Sequence, residues 1–95
     1  MAVGTTPMRV DVVSPEELLW SGEAEFVVAK TVDGEIGILA HHEPLMAALA
    51  SGTVTIHTGG DQISPSIGGG FLQILDNTVT LLVDEATLER DNPTE

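Results

Sequence analysis

The residues best suited to chemistry in this sequence are its histidines. His41, His42 and Glu43 are consecutive, and His57 follows later in the chain. Imidazole and carboxylate are ordinary zinc ligands, so a two-histidine metal site is one interpretation. A solvated turn is favoured, because adjacent histidines point apart in an extended chain and Pro44 breaks the chain after them. We predict that the chain binds neither a metal nor a cofactor. Excluding the two-histidine metal site requires coordinates.

A glycine run and two carboxylate pairs are the other groups that could do chemistry. Gly68–Gly70 lacks the Lys and Ser/Thr that a phosphate-binding loop requires at the start of a helix, so we predict positive φ or close packing at a sheet corner. Glu16-Glu17 and Asp84-Glu85 lie at predicted strand ends, where solvent keeps carboxyl groups ionised. The sequence has no cysteine and no nucleophile elbow, so no catalytic residue is predicted.

Charge and composition narrow the possible classes of protein. The chain has 95 residues, 42% of them hydrophobic, which is typical of one compact domain. Three basic residues against fifteen acidic ones give a formal charge of -12. This charge repels phosphate backbones and anionic lipids, so we predict neither nucleic-acid binding nor direct lipid insertion. It indicates either simple solubility or attraction to a basic partner surface.

The elements that position these residues are predicted to be short strands. Alternating apolar residues and turn signals recur every eight to twelve residues, which is typical of an antiparallel β-sandwich or barrel. Asp33-Gly34 and Asp76-Asn77 are predicted turns, and Pro65 suggests an edge position. The predicted strands are Met8–Ser14, Leu18–Ser21, Glu25–Lys30, Glu35–Leu39, Leu45–Ala50, Thr53–Thr58, Gln62–Ile67, Phe71–Leu75 and Thr78–Val83, of which the last is expected to be central.

Two of the three aromatic residues, Trp20 and Phe71, have two possible roles. The usual position of such residues is the core. The alternative is an exposed apolar face that docks a partner. Sequence alone does not separate these roles.

Three stretches, taken in order, resemble the N-terminal domain of the epsilon subunit of F-type ATP synthases. They are VDVVSPEELLWSGEAEFVV, DGEIGILAHHEPLM and GGGFLQILDNTVTLLVDEA. The middle stretch is the most specific, because its Gly-Glu-x-Gly turn leads to a His-x-Pro-Leu corner. Ala40 and His41 depart from the family, which usually has proline and glycine at these positions. We expect both departures to relax the constraint on the turn and neither to remove a strand.

The resemblance implies an all-β fold, a flattened sandwich of about ten strands. It implies a domain over residues 8–84, an N-terminal extension over 1–7 and a short tail over 85–95. The family's usual C-terminal helical hairpin is expected to be absent, and with it the inhibition of ATP hydrolysis that depends on that hairpin.

The resemblance also implies a function without catalysis. The chain is expected to be a central-stalk subunit that couples the gamma subunit to the c-ring during rotary ATP synthesis, at the cytoplasmic face of a bacterial plasma membrane. The expected c-ring contacts are Val32, Asp33, Gly34 and Glu35, and the expected gamma contacts are Ser14, His42 and Ala47. A β-sandwich module that binds a small ligand is the second interpretation, and a small hydrolase or metal-dependent enzyme is the third.

Overall fold

The computed structural model of the protein describes residues 7–84 and 86–87, and all the regular elements in these ranges are β-strands. Within the same ranges, no helix has the length and hydropathy that crossing a bilayer requires. The strands are β1 (Met8–Val13), β2 (Leu18–Ala24), β3 (Phe26–Thr31), β4 (Gly34–Leu39), β5 (Leu45–Leu49), β6 (Gly52–Thr53), β7 (Thr55–His57), β8 (Gln62–Ile63), β9 (Ser66–Ile67), β10 (Gly70–Leu75), β11 (Thr78–Val83) and β12 (Ala86–Thr87).

A curled nine-stranded sheet forms most of the fold. Its order is β2-β1-β11-β10-β5-β3-β7-β8, with β4 paired to the other side of β3, and a small sheet has the order β12-β9-β6. Every pair is antiparallel except β1 and β11, which are parallel. The predicted all-β class is confirmed, and the sheet, expected to be antiparallel, is mixed because of this one parallel pair.

The described residues form twelve strands, three more than the nine predicted segments, because two of these segments are divided and β12 is added. The segment Thr53–Thr58 is interrupted at Val54, and Gln62–Ile67 is interrupted at Pro65. The Val54 amide donates to the Pro65 carbonyl at 3.0 Å, so the two interruptions face each other. As Pro65 suggested, β8 lies at an edge of the large sheet. Asp84 is the expected end of the domain. After it the chain forms one more strand, β12, which pairs with β9 in the small sheet.

The core lies on the inner face of the curled sheet. Alternate residues of neighbouring strands meet there in register, as Val12, Leu81 and Leu72 do. All three side chains are fully buried, and no polar or charged residue in the described ranges is buried. Trp20 also faces inward, because it pairs with Val12 and packs against this core. Period-two alternation therefore sets which residues face the core and which face outward.

The glycine run allows a close approach between strands, as predicted. Gly70 has φ 139°, and a Cβ there would collide with the Leu82 carbonyl oxygen and with Val83 Cα. The segment Leu45–Leu49 is a strand despite its helix-favouring composition, and β11 is central, between β1 and β10. These predictions are confirmed.

The turn after β4 contains a residue other than glycine with a positive φ. His41 has φ 66°, a left-handed conformation that glycine adopts at lower cost than a residue with a Cβ. Histidine therefore favours the observed conformation less strongly than the family's usual glycine would, and the strands on either side, β4 and β5, are both present.

Candidate functional site

The outer face of the large sheet carries a row of apolar side chains across neighbouring strands. The register places Val13 opposite both Leu18 and Leu82, and Phe71 opposite both Leu82 and Ala48. We call these five residues, Leu18, Val13, Leu82, Phe71 and Ala48, the apolar row. It crosses β2, β1, β11, β10 and β5, which is about 20 Å at the usual strand spacing.

Most of the apolar row is exposed to solvent. Leu18 is 56% exposed, Phe71 53% and Leu82 40%. Met46 lies two residues from Ala48 on the same face of β5 and is 62% exposed. Scattered apolar residues are normal on a protein surface, but a contiguous apolar patch indicates a binding surface. Phe71 is thus part of an exposed apolar face, whereas Trp20 packs against the core.

The same outer face becomes polar further along β1. The Arg9 guanidinium donates from Nε to Asp11 Oδ1 at 3.1 Å and from Nη2 to Ser21 Oγ at 2.8 Å. Ser21 Oγ in turn donates to Asp11 Oδ1 at 2.7 Å. These groups satisfy one another, so a partner could cover them without leaving an isolated buried charge.

A shallow cleft of about 330 Å³ lies beside the apolar row. Its lining comes from the end of β1, the following turn, the start of β10 and the end of β11: Val13, Ser14, Pro15, Gly70, Phe71, Leu82, Val83 and Asp84. Ser14 holds that turn, because its Oγ accepts the amides of Glu16 and Glu17 at 3.4 and 3.3 Å. The predicted gamma contact Ser14 therefore lies beside the apolar row, next to Val13.

The four residues expected to contact the c-ring form the tip of the β3–β4 hairpin. Residues 32–35 are all exposed, and Val32 reaches 65%. Thr31 braces the tip: its Oγ1 donates to the Gly34 carbonyl at 2.7 Å and accepts the Asp33 amide at 3.1 Å. Sequence reasoning missed this role of Thr31, although a threonine just before an Asp-Gly turn is a recognisable signal.

The hairpin tip lies beside the apolar row. The Val32 amide donates to the Ala48 carbonyl at 3.0 Å, next to the end of the row on β5. The apolar surface thus extends from the turn after β1 to the acidic tip that carries Asp33 and Glu35.

The other two expected gamma contacts lie apart from Ser14. His42 is in the turn before β5, near the Asp76-Asn77 hairpin end of β10 and β11, so the length of these strands separates it from Ser14. Ala47 pairs with the fully buried Leu72 and therefore faces inward. Its neighbours Met46 and Ala48 face outward. The structure thus places Ser14 and His42 at opposite ends of the outer face.

The histidines do not gather into a metal site. His57 lies in β7, where its ring packs against Phe26 with centroids 5.6 Å apart. His42 Nδ1 is 2.8 Å from the Glu43 carbonyl oxygen. Among residues 7–84 and 86–87, no group of three or more histidine, aspartate or glutamate side chains could hold a metal ion.

Expectations about the chain termini lie mostly outside the described residues. The structure does not describe residues 1–6, which belong to the expected N-terminal extension. It also does not describe Glu85 or residues 88–95, where the short tail is expected in place of a helical hairpin.

Comparisons with known proteins agree with this architecture. Residues 7–89 match the family described as ATP synthase, Delta/Epsilon chain, beta-sandwich domain. A Frankia casuarinae protein named ATP synthase epsilon chain is 48% identical over 83 residues, which cover 86% of this chain and 98% of the relative. A Corynebacterium diphtheriae protein of the same name is 49% identical over 81 residues, covering 83% of this chain and 66% of the relative.

A solved structure shows the same fold in an assembly. It is a structure of the Euglena gracilis mitochondrial ATP synthase, comprising OSCP, F1 and the c-ring. One of its chains is similar to this protein with a TM-score of 0.79 and 26% identity, over 92% of this chain and 57% of that chain.

The fold and the apolar row together define a β-sandwich domain with a surface suited to binding a protein. The chain belongs to the ATP synthase delta/epsilon family, of which it has the β-sandwich domain.

Proposed function

We propose that this protein is a non-catalytic subunit of the central stalk of a proton-transporting ATP synthase. In this role it links the gamma subunit to the c-ring during rotary ATP synthesis. It is held peripherally at the cytoplasmic face of a bacterial plasma membrane through the c-ring. The observation that carries the proposal is the apolar row, an exposed surface across five strands that ends beside an acidic hairpin tip.

The outer face of β2, β1, β11, β10 and β5 is the proposed contact with gamma. Five strands of about six residues span roughly 20 by 20 Å at ordinary strand dimensions. An interface of standard size buries about 800 Å² on each partner, enough to include both ends of such a face. One gamma subunit could therefore contact Ser14 at one end and His42 at the other.

Charge favours a basic partner over a second copy of this chain. Exposed carboxylates border the apolar row: Glu16 and Glu17 beside Leu18, and Asp84 beyond Val83. Two such faces would bring like charges together, which opposes self-association. A partner with apolar residues flanked by lysine or arginine complements both the row and its border, so we expect that chemistry on the facing surface of gamma.

The hairpin tip is the proposed contact with the c-ring. Its carboxylates, Asp33 and Glu35, suit polar or basic loops on the ring. Because Val32 hydrogen-bonds to the β5 end of the outer face, the two proposed contacts belong to one packed block. A closely packed block has low compressibility, which suits it to pass torque from one partner to the other.

The test of this function is complementation. Membrane vesicles from cells that lack the subunit should regain proton-driven ATP synthesis when this chain is supplied. Vesicles that gain no coupled synthesis, although the chain is present and folded, would contradict the proposal.

A further inference from the structure

The residues in the corner that carries His42 only weakly favour the backbone conformation that the corner adopts. The His42 amide donates to the Leu39 carbonyl at 3.2 Å, and His41 has φ 66°, the arrangement of a type II turn. Such a turn prefers proline at its second position and glycine or asparagine at its third. Ala40 and His41 occupy these positions here, so the local sequence does little to fix the turn.

A residue distant in sequence supplies the missing constraint. Asn77 closes the two-residue hairpin between β10 and β11, in which Asp76 and Asn77 have φ 52° and 60°. Both values fit a type I′ turn, for which asparagine is well suited. The Asn77 side chain therefore leaves the hairpin in a fixed direction, towards the corner.

Asn77 joins three segments of the chain. Its Oδ1 accepts the His41 amide at 2.7 Å, and its Nδ2 donates to the Pro7 carbonyl at 3.1 Å. Its backbone carbonyl accepts the Arg9 amide at 3.1 Å. The bond to His41 holds the residue whose left-handed conformation is unfavourable, directly before His42.

We propose that Asn77 is a positioning residue for the gamma contact, because it fixes the corner that presents His42. This inference rests on the proposed function. In this proposal, the hydrogen bond between the His41 amide and Asn77 stabilises the turn conformation that a proline-glycine pair at residues 40 and 41 would favour locally. It follows that Asn77 should become dispensable when Ala40 and His41 are replaced by that pair.

The first experiment measures hydrogen exchange at the His41 amide in the isolated chain. Asn77→Gly keeps the left-handed turn but removes the oxygen that accepts the His41 amide. The exchange rate of this amide should then rise about fivefold or more, which corresponds to the loss of one hydrogen bond. Asn77→Asp keeps an acceptor oxygen and should retain the protection. Asp76→Gly is the matched control, since it changes the same turn without touching the corner. Equal exchange in Asn77→Gly and Asp76→Gly would overturn the inference.

The second experiment measures affinity for the cognate gamma subunit. Asn77→Gly should weaken binding about three- to tenfold relative to Asp76→Gly, and Asn77→Asp should bind like the original chain. In an Ala40→Pro/His41→Gly background, Asn77→Gly should have less than about a twofold effect, because the turn is then fixed locally. An undiminished effect in that background would overturn the inference. Failure of the original chain to bind gamma would instead contradict the proposed function, and the exchange result would still decide whether Asn77 fixes the corner.

Discussion

Phe71 and Leu82 stand directly opposite each other on β10 and β11, and both side chains point to solvent. Cross-strand partners have their Cβ atoms about 5 Å apart, so these two form the centre of a continuous apolar surface. Val13 and Ala48 extend that surface on either side. An exposed apolar pair of this kind, in a domain whose opposite sheet face is already buried in a core, is best explained by a partner that covers it.

Replacing Phe71 with alanine should weaken binding to gamma without unfolding the chain. A central aromatic anchor is typically worth about 2 kcal/mol or more, so affinity should fall roughly 30-fold. Titration of labelled chain with purified gamma measures this. Thr53→Ala is the control, because Thr53 is exposed but lies on β6 in the small sheet, outside the five strands of the proposed contact. If the two variants bound gamma with equal affinity, Phe71 would not be part of the interface.

Reversing the charges of the hairpin tip should weaken attachment to the c-ring. Because exposed charge pairs contribute little individually, we expect the double variant Asp33→Lys/Glu35→Lys to lose about two- to tenfold in affinity. The loss should shrink as salt is added, since salt screens exposed charges. Glu25→Lys, just before the other end of β3, is the control for a charge reversal away from the tip. Unchanged attachment and unchanged proton-driven synthesis in the double variant would argue against the tip as the contact.

Two substitutions at His41 should change stability in opposite directions. Glycine adopts φ 66° without the steric cost of a Cβ. The free energy of unfolding of His41→Gly should therefore be about 0.5 kcal/mol higher than that of the original chain. His41→Ala keeps the Cβ and should be about 0.5 kcal/mol less stable. Urea unfolding of the two variants measures the difference. A more stable alanine variant would mean that the conformation of residue 41 is not what limits this turn.

Adding a methyl group at residue 70 should be strongly destabilising. Gly70 has φ 139°, and its missing Cβ would overlap the backbone of Leu82 and Val83. Gly70→Ala should therefore lower the free energy of unfolding by at least about 2 kcal/mol. Gly60→Ala, where nothing lies within 4 Å of the added Cβ, should stay within about 0.5 kcal/mol. Similar stabilities would show that β10 can shift away from β11.

Much of the fold could be predicted because local patterns determine it. Alternation in the first strand and in Thr78–Val83 indicated half-buried and central strands, and Asp76-Asn77 predicted a hairpin turn, which its two positive φ angles confirm. The parallel pairing of β1 with β11 could not be predicted, because no local pattern records which distant strands meet. The hydrogen bond from the His41 amide to Asn77 could not be predicted for the same reason, because the two residues are 36 positions apart in the sequence.

The candidate site was less predictable than the fold. The segment Phe71–Leu75 alternates, but its odd and even positions are almost equally apolar, so the pattern does not say which face is buried. Only the register shows Leu72 in the core and Phe71 outside. The contacts expected at Ser14, His42 and Ala47 remain predictions, with Ser14 and His42 at opposite ends of the outer face and Ala47 facing inward.

The most direct test of a protein that links gamma to the c-ring is co-purification with both. Tagged chain should retain gamma and the c-ring together in a stable complex when assembled with the cognate subunits, and Phe71→Ala should retain markedly less gamma. A folded chain that retains neither partner, or a Phe71→Ala chain that retains gamma as well as the original does, would contradict the account.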